Sequence, residues 1–83
     1  MDEAILRALH QATDLAREIH GWTTCVNVGT TARIKGRDTK FKAVVTHSDT
    51  EHEVSFGETP LIALRKLVVA LEAEKLLKDR AAA

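Results

Sequence analysis

Apolar residues recur at helical spacing along the first fifth of the chain. Met1, Ile5, Ala8, Leu9, Ala12, Ala16 and Ile19 fall on one stripe, and Arg7, Asp14, Arg17 and Glu18 lie off it. Such a stripe predicts an amphipathic helix over about 2–20. Gly21 follows where a helix commonly ends. Leu6 sits on the polar side near His10, Thr13 and Arg17, and a single exposed leucine is common. Beyond Gly21 the pattern changes to β-forming types: Trp22, Thr23, Thr24, Val26, Val28, Thr30, Thr31 and Ile34. These predict a long strand over about 22–35, with Gly29 at a bulge or bend. Gly36-Arg37-Asp38 is a turn signal.

A second strand is predicted over about 39–47, where Phe41, Ala43 and Val45 alternate with Lys40, Lys42 and Val44. Ser48-Asp49-Thr50 turns the chain into a third strand over about 51–56. There His52, Val54 and Phe56 share one face and Glu51, Glu53 and Ser55 the other. Closing the hairpin on Ser48 and Asp49 sets Phe41 opposite Phe56, Ala43 opposite Val54 and Val45 opposite His52. The apolar residues of both strands then share a face, which is what specifies a register. The same register brings Lys42 diagonal to Glu53. Thr59 is an N-cap type and Pro60 suits the first helical position, so a second helix is predicted over about 60–80. Lys75, Lys78 and Arg80 near its end suit the helix dipole. The expected fold is α+β, α-β-β-β-α, a single domain over 1–83. Its three-stranded antiparallel sheet carries both helices on one face and leaves the other face open.

The last helix carries more apolar surface than one stripe needs. Leu61, Leu64, Leu67, Val68 and Leu71 form a core stripe, while Ile62, Val69 and Leu76 recur every seven residues on another side. This second stripe is a candidate self-association or partner surface; the alternative is a helix sunk broadly between the sheet and the first helix.

Charge changes the picture of the sheet. Lys plus Arg and Asp plus Glu are both 12, so the net charge is zero, which argues against a protein whose main task is gripping phosphates. The balance conceals segregation. Arg33, Lys35, Arg37, Lys40 and Lys42 cluster, and Asp49, Glu51, Glu53 and Glu58 follow with no Lys or Arg between Val44 and Leu64. Both groups are candidate partner-binding residues on an electrostatically patterned face; the plainer reading is a solvated sheet surface. Cys25 is the only cysteine, so no intramolecular disulfide forms and a reducing compartment is expected. The N-terminus has no basic region followed by an apolar run, and Arg65, Lys66, Glu72 and Glu74 interrupt the last helix. A cytoplasmic location without membrane contact is the expectation.

No catalytic set emerges. Cys25 and a histidine lack a visible orienting group or oxyanion motif, and Gly29 and Gly36 do not make a phosphate loop. Of His10, His20, His47 and His52, the last two are near each other across the hairpin, but structural zinc wants four ligands at short spacings. His52 is expected to fill space beside Val45, and His20 to help end the first helix. The expectation is a non-enzyme with neither metal nor cofactor.

The element order resembles the double-stranded-RNA-binding domain along the whole chain. That family uses basic residues at the start of its last helix to read A-form RNA by shape. Here Thr59-Pro60-Leu61-Ile62 stands at that place, with Arg65 and Lys66 a turn later. Gly57-Glu58-Thr59-Pro60, followed by Ala63-Leu64 and Ala70-Leu71, resembles the end of many small phage-encoded proteins, a class that includes anti-CRISPR and other anti-defence inhibitors. That second resemblance implies a mobile-element protein that inhibits a host defence protein or ribonucleoprotein complex, such as a CRISPR effector, by stoichiometric binding. The alternatives are direct nucleic-acid binding through the basic cluster and a homodimeric structural or regulatory protein.

Overall fold

A computed structural model describes residues 2–30 and 41–82. Its elements are α1 (Glu3–His20), β1 (Cys25–Thr30), β2 (Phe41–His47), β3 (Thr50–Gly57) and α2 (Pro60–Ala82). The strands form one antiparallel sheet in the order β1-β2-β3. The expected α-β-β-β-α architecture is therefore the observed one. The extensions predicted at 31–35 and 39–40 lie outside the described residues.

Local chemistry explains the element ends. The Asp2 carboxylate accepts from Ala4 N at 2.8 Å and caps α1. Gly21 ends the helix at φ +109°, a conformation that favours glycine, and its N–H donates to Arg17 O at 2.8 Å. The predicted strand start at Trp22 is corrected: Trp22 and Thr23 form a turn closed by Thr24 N donating to Gly21 O at 3.1 Å, and β1 begins at Cys25. Trp22 is 83% exposed, with the Arg17 guanidinium 5.5 Å from its ring centroid. The hairpin closes on Ser48 and Asp49, as expected, with φ of 51° and 64°. Positive φ at both central residues suits the right-handed twist of the flanking strands.

Both helices pack against the sheet, α1 chiefly along β1 and α2 along β2 and β3, and they pack on each other. The core is formed by Ala8, Ala12, Ala16 and Ile19 of α1, Ala43 and Val45 of β2, and Ala63, Leu64, Leu67, Val68 and Leu71 of α2. Alanine on three successive turns of α1 keeps that helix close to its neighbours. The helices run parallel: Ala4, Arg7 and Ala8 lie beside Leu61 and Arg65, while Glu18, Ile19 and His20 meet residues 74–78. Parallel helices bring like dipole ends together. The lysines of α2 answer this at the end of α1. Lys78 Nζ donates to Ile19 O at 2.6 Å, and Lys75 Nζ lies 2.6 Å from Glu18 Oε2. The hydrogen bond and charge of Glu18 hold the Lys75 ammonium above the usual lysine range.

Thr59 caps α2 as its sequence predicts: its hydroxyl accepts from Ile62 N at 3.1 Å. Thr59→Ala should lower stability by about 1 kcal/mol, read as a lower urea midpoint with an unchanged m-value. An unchanged midpoint would show that the hydroxyl contributes nothing to the helix start.

The predicted pairing of β2 with β3 holds only beside the turn. His47 pairs with Thr50 and Thr46 with Glu51, but Val45 pairs with Glu53, leaving His52 as the extra residue of a β-bulge. Every later pair is shifted by one. Phe41 faces Gly57, Lys42 faces Phe56, Ala43 faces Ser55 and Val44 faces Val54. The expected Phe41–Phe56, Ala43–Val54 and Val45–His52 pairs are therefore corrected. Gly57 explains the outcome. It is buried against the first turn of α2, where a Cβ would come within 2.5 Å of Ala63 N and 2.8 Å of Ile62 Cγ2. A large side chain has no room on that side, so Phe56 takes the other.

Candidate functional site

The bulge decides what the open face of the sheet presents. In each cross-strand pair the two residues share a face, so the open face carries Cys25 with Thr46, Asn27 with Val44 and Gly29 with Lys42 from β1 and β2. From β3 it carries Glu51, Val54 and Phe56. Phe56 is 48% exposed, and Val44 and Val54 are half-buried at the centre of the sheet. Lys42 Nζ lies 3.2 Å from Glu51 Oε1 on the same face. The outcome is an apolar centre of Val44, Val54 and Phe56 beside a salt bridge, with Asn27 and Cys25 toward β1. The Cys25 thiol is exposed, and donates to Thr23 O at 3.8 Å.

Among the expected site residues, Glu53 changes face and Lys42 changes partner. Lys42 pairs with Glu51, not with Glu53. Glu53 shares the face of buried Val45, on the helix side, and is half-buried. Asp49 is exposed in the turn. Arg33, Lys35, Arg37 and Lys40 lie outside the described residues. Among the described residues, the expected two-signed face thus reduces to one internally paired lysine and glutamate. The sequence pattern missed Phe56 and Val54 as surface residues, because their alternation with Glu53 and Ser55 reads as a core face. The available signal was Gly57, two residues before the N-cap of α2.

The bulge also adds His20 to the two histidines that the hairpin was expected to bring near each other. The His52 ring stacks on His20 at the end of α1, with centroids 4.6 Å apart and planes 17° from parallel. It meets His47 at 5.9 Å. The expectation that His52 fills space beside Val45 is corrected; its partner is the imidazole across the seam between sheet and helix. His47 Nδ1 lies 3.2 Å from Thr23 Oγ1 and 3.3 Å from Thr24 Oγ1, and Thr24 is fully buried. With the ring proton on Nε2, His47 accepts from these hydroxyls. Glu74 Oε1 approaches His20 Nε2 to 3.2 Å, but that buried nitrogen makes no hydrogen bond with good geometry among the described residues. The contact is therefore a close approach without hydrogen-bond geometry. Among the described residues no group of three or more His, Cys, Asp or Glu side chains is arranged to hold a metal ion. The cluster ties α1, the hairpin end and α2 together.

The outer side of α2 is the second candidate surface. Ile62 is 40%, Val69 67% and Leu76 55% exposed, and Leu77 is also exposed. The core takes Ala63, Leu64, Leu67, Val68 and Leu71. The alternative of a helix sunk between sheet and α1 is thus excluded for the stripe itself. Beside Val69, a groove between α1 and α2 is lined by Arg7, Gln11, Leu61 and Arg65. No helix among the described residues is long and apolar enough to cross a membrane. Comparison with protein-family models, curated proteins and solved structures finds no match to this chain.

Proposed function

We propose that this chain acts by stoichiometric binding, and that the open face of its sheet docks a protein partner. The observation that carries this reading is the outward turn of β3: Phe56 stands exposed beside Val44 and Val54. A desolvatable aromatic beside an apolar centre, edged by polar groups, matches how binding energy concentrates at protein interfaces. The partner is read as a subunit of a host defence complex, with an anti-CRISPR inhibitor as the most concrete form. That narrower reading rests on the likeness of Gly57-Glu58-Thr59-Pro60 and the helix after it to small phage proteins. Direct nucleic-acid binding through the basic cluster is the second reading, set lower because the net charge of the chain is zero.

The test uses the wild-type chain and Phe56→Asp, first in pull-downs from a host carrying a CRISPR effector and then against the purified complex. Phe56→Asp should fold as the parent does, by circular dichroism and thermal midpoint, and bind about thirtyfold more weakly, as loss of a hot-spot aromatic costs about 2 kcal/mol. Recovery of no defence component overturns the inhibitor reading. Equal affinity of the two chains overturns the sheet face as the docking surface. Steeply salt-dependent binding to duplex RNA or DNA would transfer the function to nucleic acid.

A further inference from the structure

We infer that the outer stripe of α2 pairs with the same stripe of a second copy, antiparallel, about a two-fold axis at Val69. With 3.6 residues per turn, Ile62 and Leu76 lie within about 20° of Val69 around the helix and about 10 Å to either side along it. An antiparallel partner centred on Val69 therefore sets Ile62 against Leu76 of the second copy, Val69 against Val69, and Leu76 against Ile62. Three apolar layers result, built from side chains that are all 40% exposed or more in the single chain.

The charges beside the stripe choose the direction. Arg65 and Glu72 flank it on one side, Lys66 and Ala73 on the other, and all four are exposed. A two-fold axis perpendicular to antiparallel helices brings each flank against the same flank of its mate. Arg65 lies about 6 Å before Val69 and Glu72 about 4.5 Å after it at 1.5 Å per residue, so Arg65 of one copy stands nearly level with Glu72 of the other. The pair occurs twice. Lys66 meets Ala73, where its aliphatic stem can lie over a small residue. A parallel pair would bring opposite flanks together and place Lys66 against Arg65 twice, a like-charge contact.

This dimer stands apart from the docking face. The stripe lies opposite the core side of α2, so both sheet faces stay open and point away from each other. Failure of one surface leaves the other intact.

The experiment is sedimentation velocity and light scattering of the full chain from low micromolar to millimolar concentration, with four variants. Val69→Glu places two carboxylates at the axis and should leave a folded monomer at every concentration. Arg65→Glu faces Glu72 and should weaken the dimer about tenfold; Glu72→Arg faces Arg65 and should weaken it similarly. The double exchange Arg65→Glu with Glu72→Arg should restore self-association to within about threefold of the parent. A parent that stays monomeric throughout overturns the proposal. An Arg65→Glu variant that associates more tightly than the parent overturns the antiparallel arrangement, since that change relieves the Lys66–Arg65 contact only in a parallel pair. All three substituted positions are exposed, and circular dichroism of each variant separates lost pairing from lost fold.

Discussion

Leu67→Ala should remove a large share of the protein's stability. Leu64, Leu67 and Leu71 are the largest fully buried side chains, all on the inner side of α2. Truncating such a leucine removes its burial and leaves a cavity, together costing roughly 2–5 kcal/mol. The whole domain, at 83 residues, is expected to hold only about 4–12 kcal/mol. The loss is therefore a large share of the total, and the urea midpoint should fall by a comparable share. Leu67→Met keeps the volume and should cost less than about 1.5 kcal/mol. A Leu67→Ala protein with the parent's midpoint would mean that α2 does not seat on the sheet through this side.

Gly57→Ala is expected to be nearly as damaging, although it adds one carbon. The new Cβ would meet the backbone nitrogen of Ala63 at 2.5 Å, and backbone cannot rotate away as a side chain can. Forcing atoms into a filled site costs typically 1–3 kcal/mol, and Gly57→Val should exceed Gly57→Ala. Gly29 supplies the control. An added Cβ there meets nothing within 4 Å, so Gly29→Ala should shift stability by no more than about 0.5 kcal/mol. Thermal denaturation of the two alanine variants side by side settles the point: equal midpoints would rule out close seating of α2 on β3.

Most of the fold was legible because it rests on periodicity and on local end signals. The alanine and isoleucine stripe of α1, the Gly21 stop, the Ser48-Asp49 turn and the Thr59-Pro60 start each act within a few residues, and each stands where it was expected. Trp22 was misplaced because β-propensity counts its ring as a strand former, while the closed turn after Gly21 holds it outside the sheet. Sequence reasoning failed hardest on β3, for a reason that lies in the packing of α2 on Gly57 rather than in the alternation of the strand. Alternation there favours Val54 and Phe56 as core residues. The space beneath α2 is closed by the Ala63 backbone and Ile62, and only the folded packing reveals it. The candidate sites divide in the same way. Ile62, Val69 and Leu76 were legible as a surface stripe, since helical spacing needs no tertiary information. Phe56 and the His20–His52 stack were not, because both depend on one unpaired residue in a hairpin.

The bulge at His52 can be understood as a frame correction. Two separate rules assign the odd and even positions of β3 to its two sides: the tight turn counts from Thr50 upward, and the seat of Gly57 under α2 counts from the other end. The two counts disagree by one. A strand of uninterrupted pairing would have to violate one of them, either by opening the turn or by driving Phe56 into the helix. One surplus residue reconciles both. A chain lacking His52 would bring the two counts into agreement and pair without a bulge, whereas most substitutions at that position would leave the mismatch, and the bulge that absorbs it, in place.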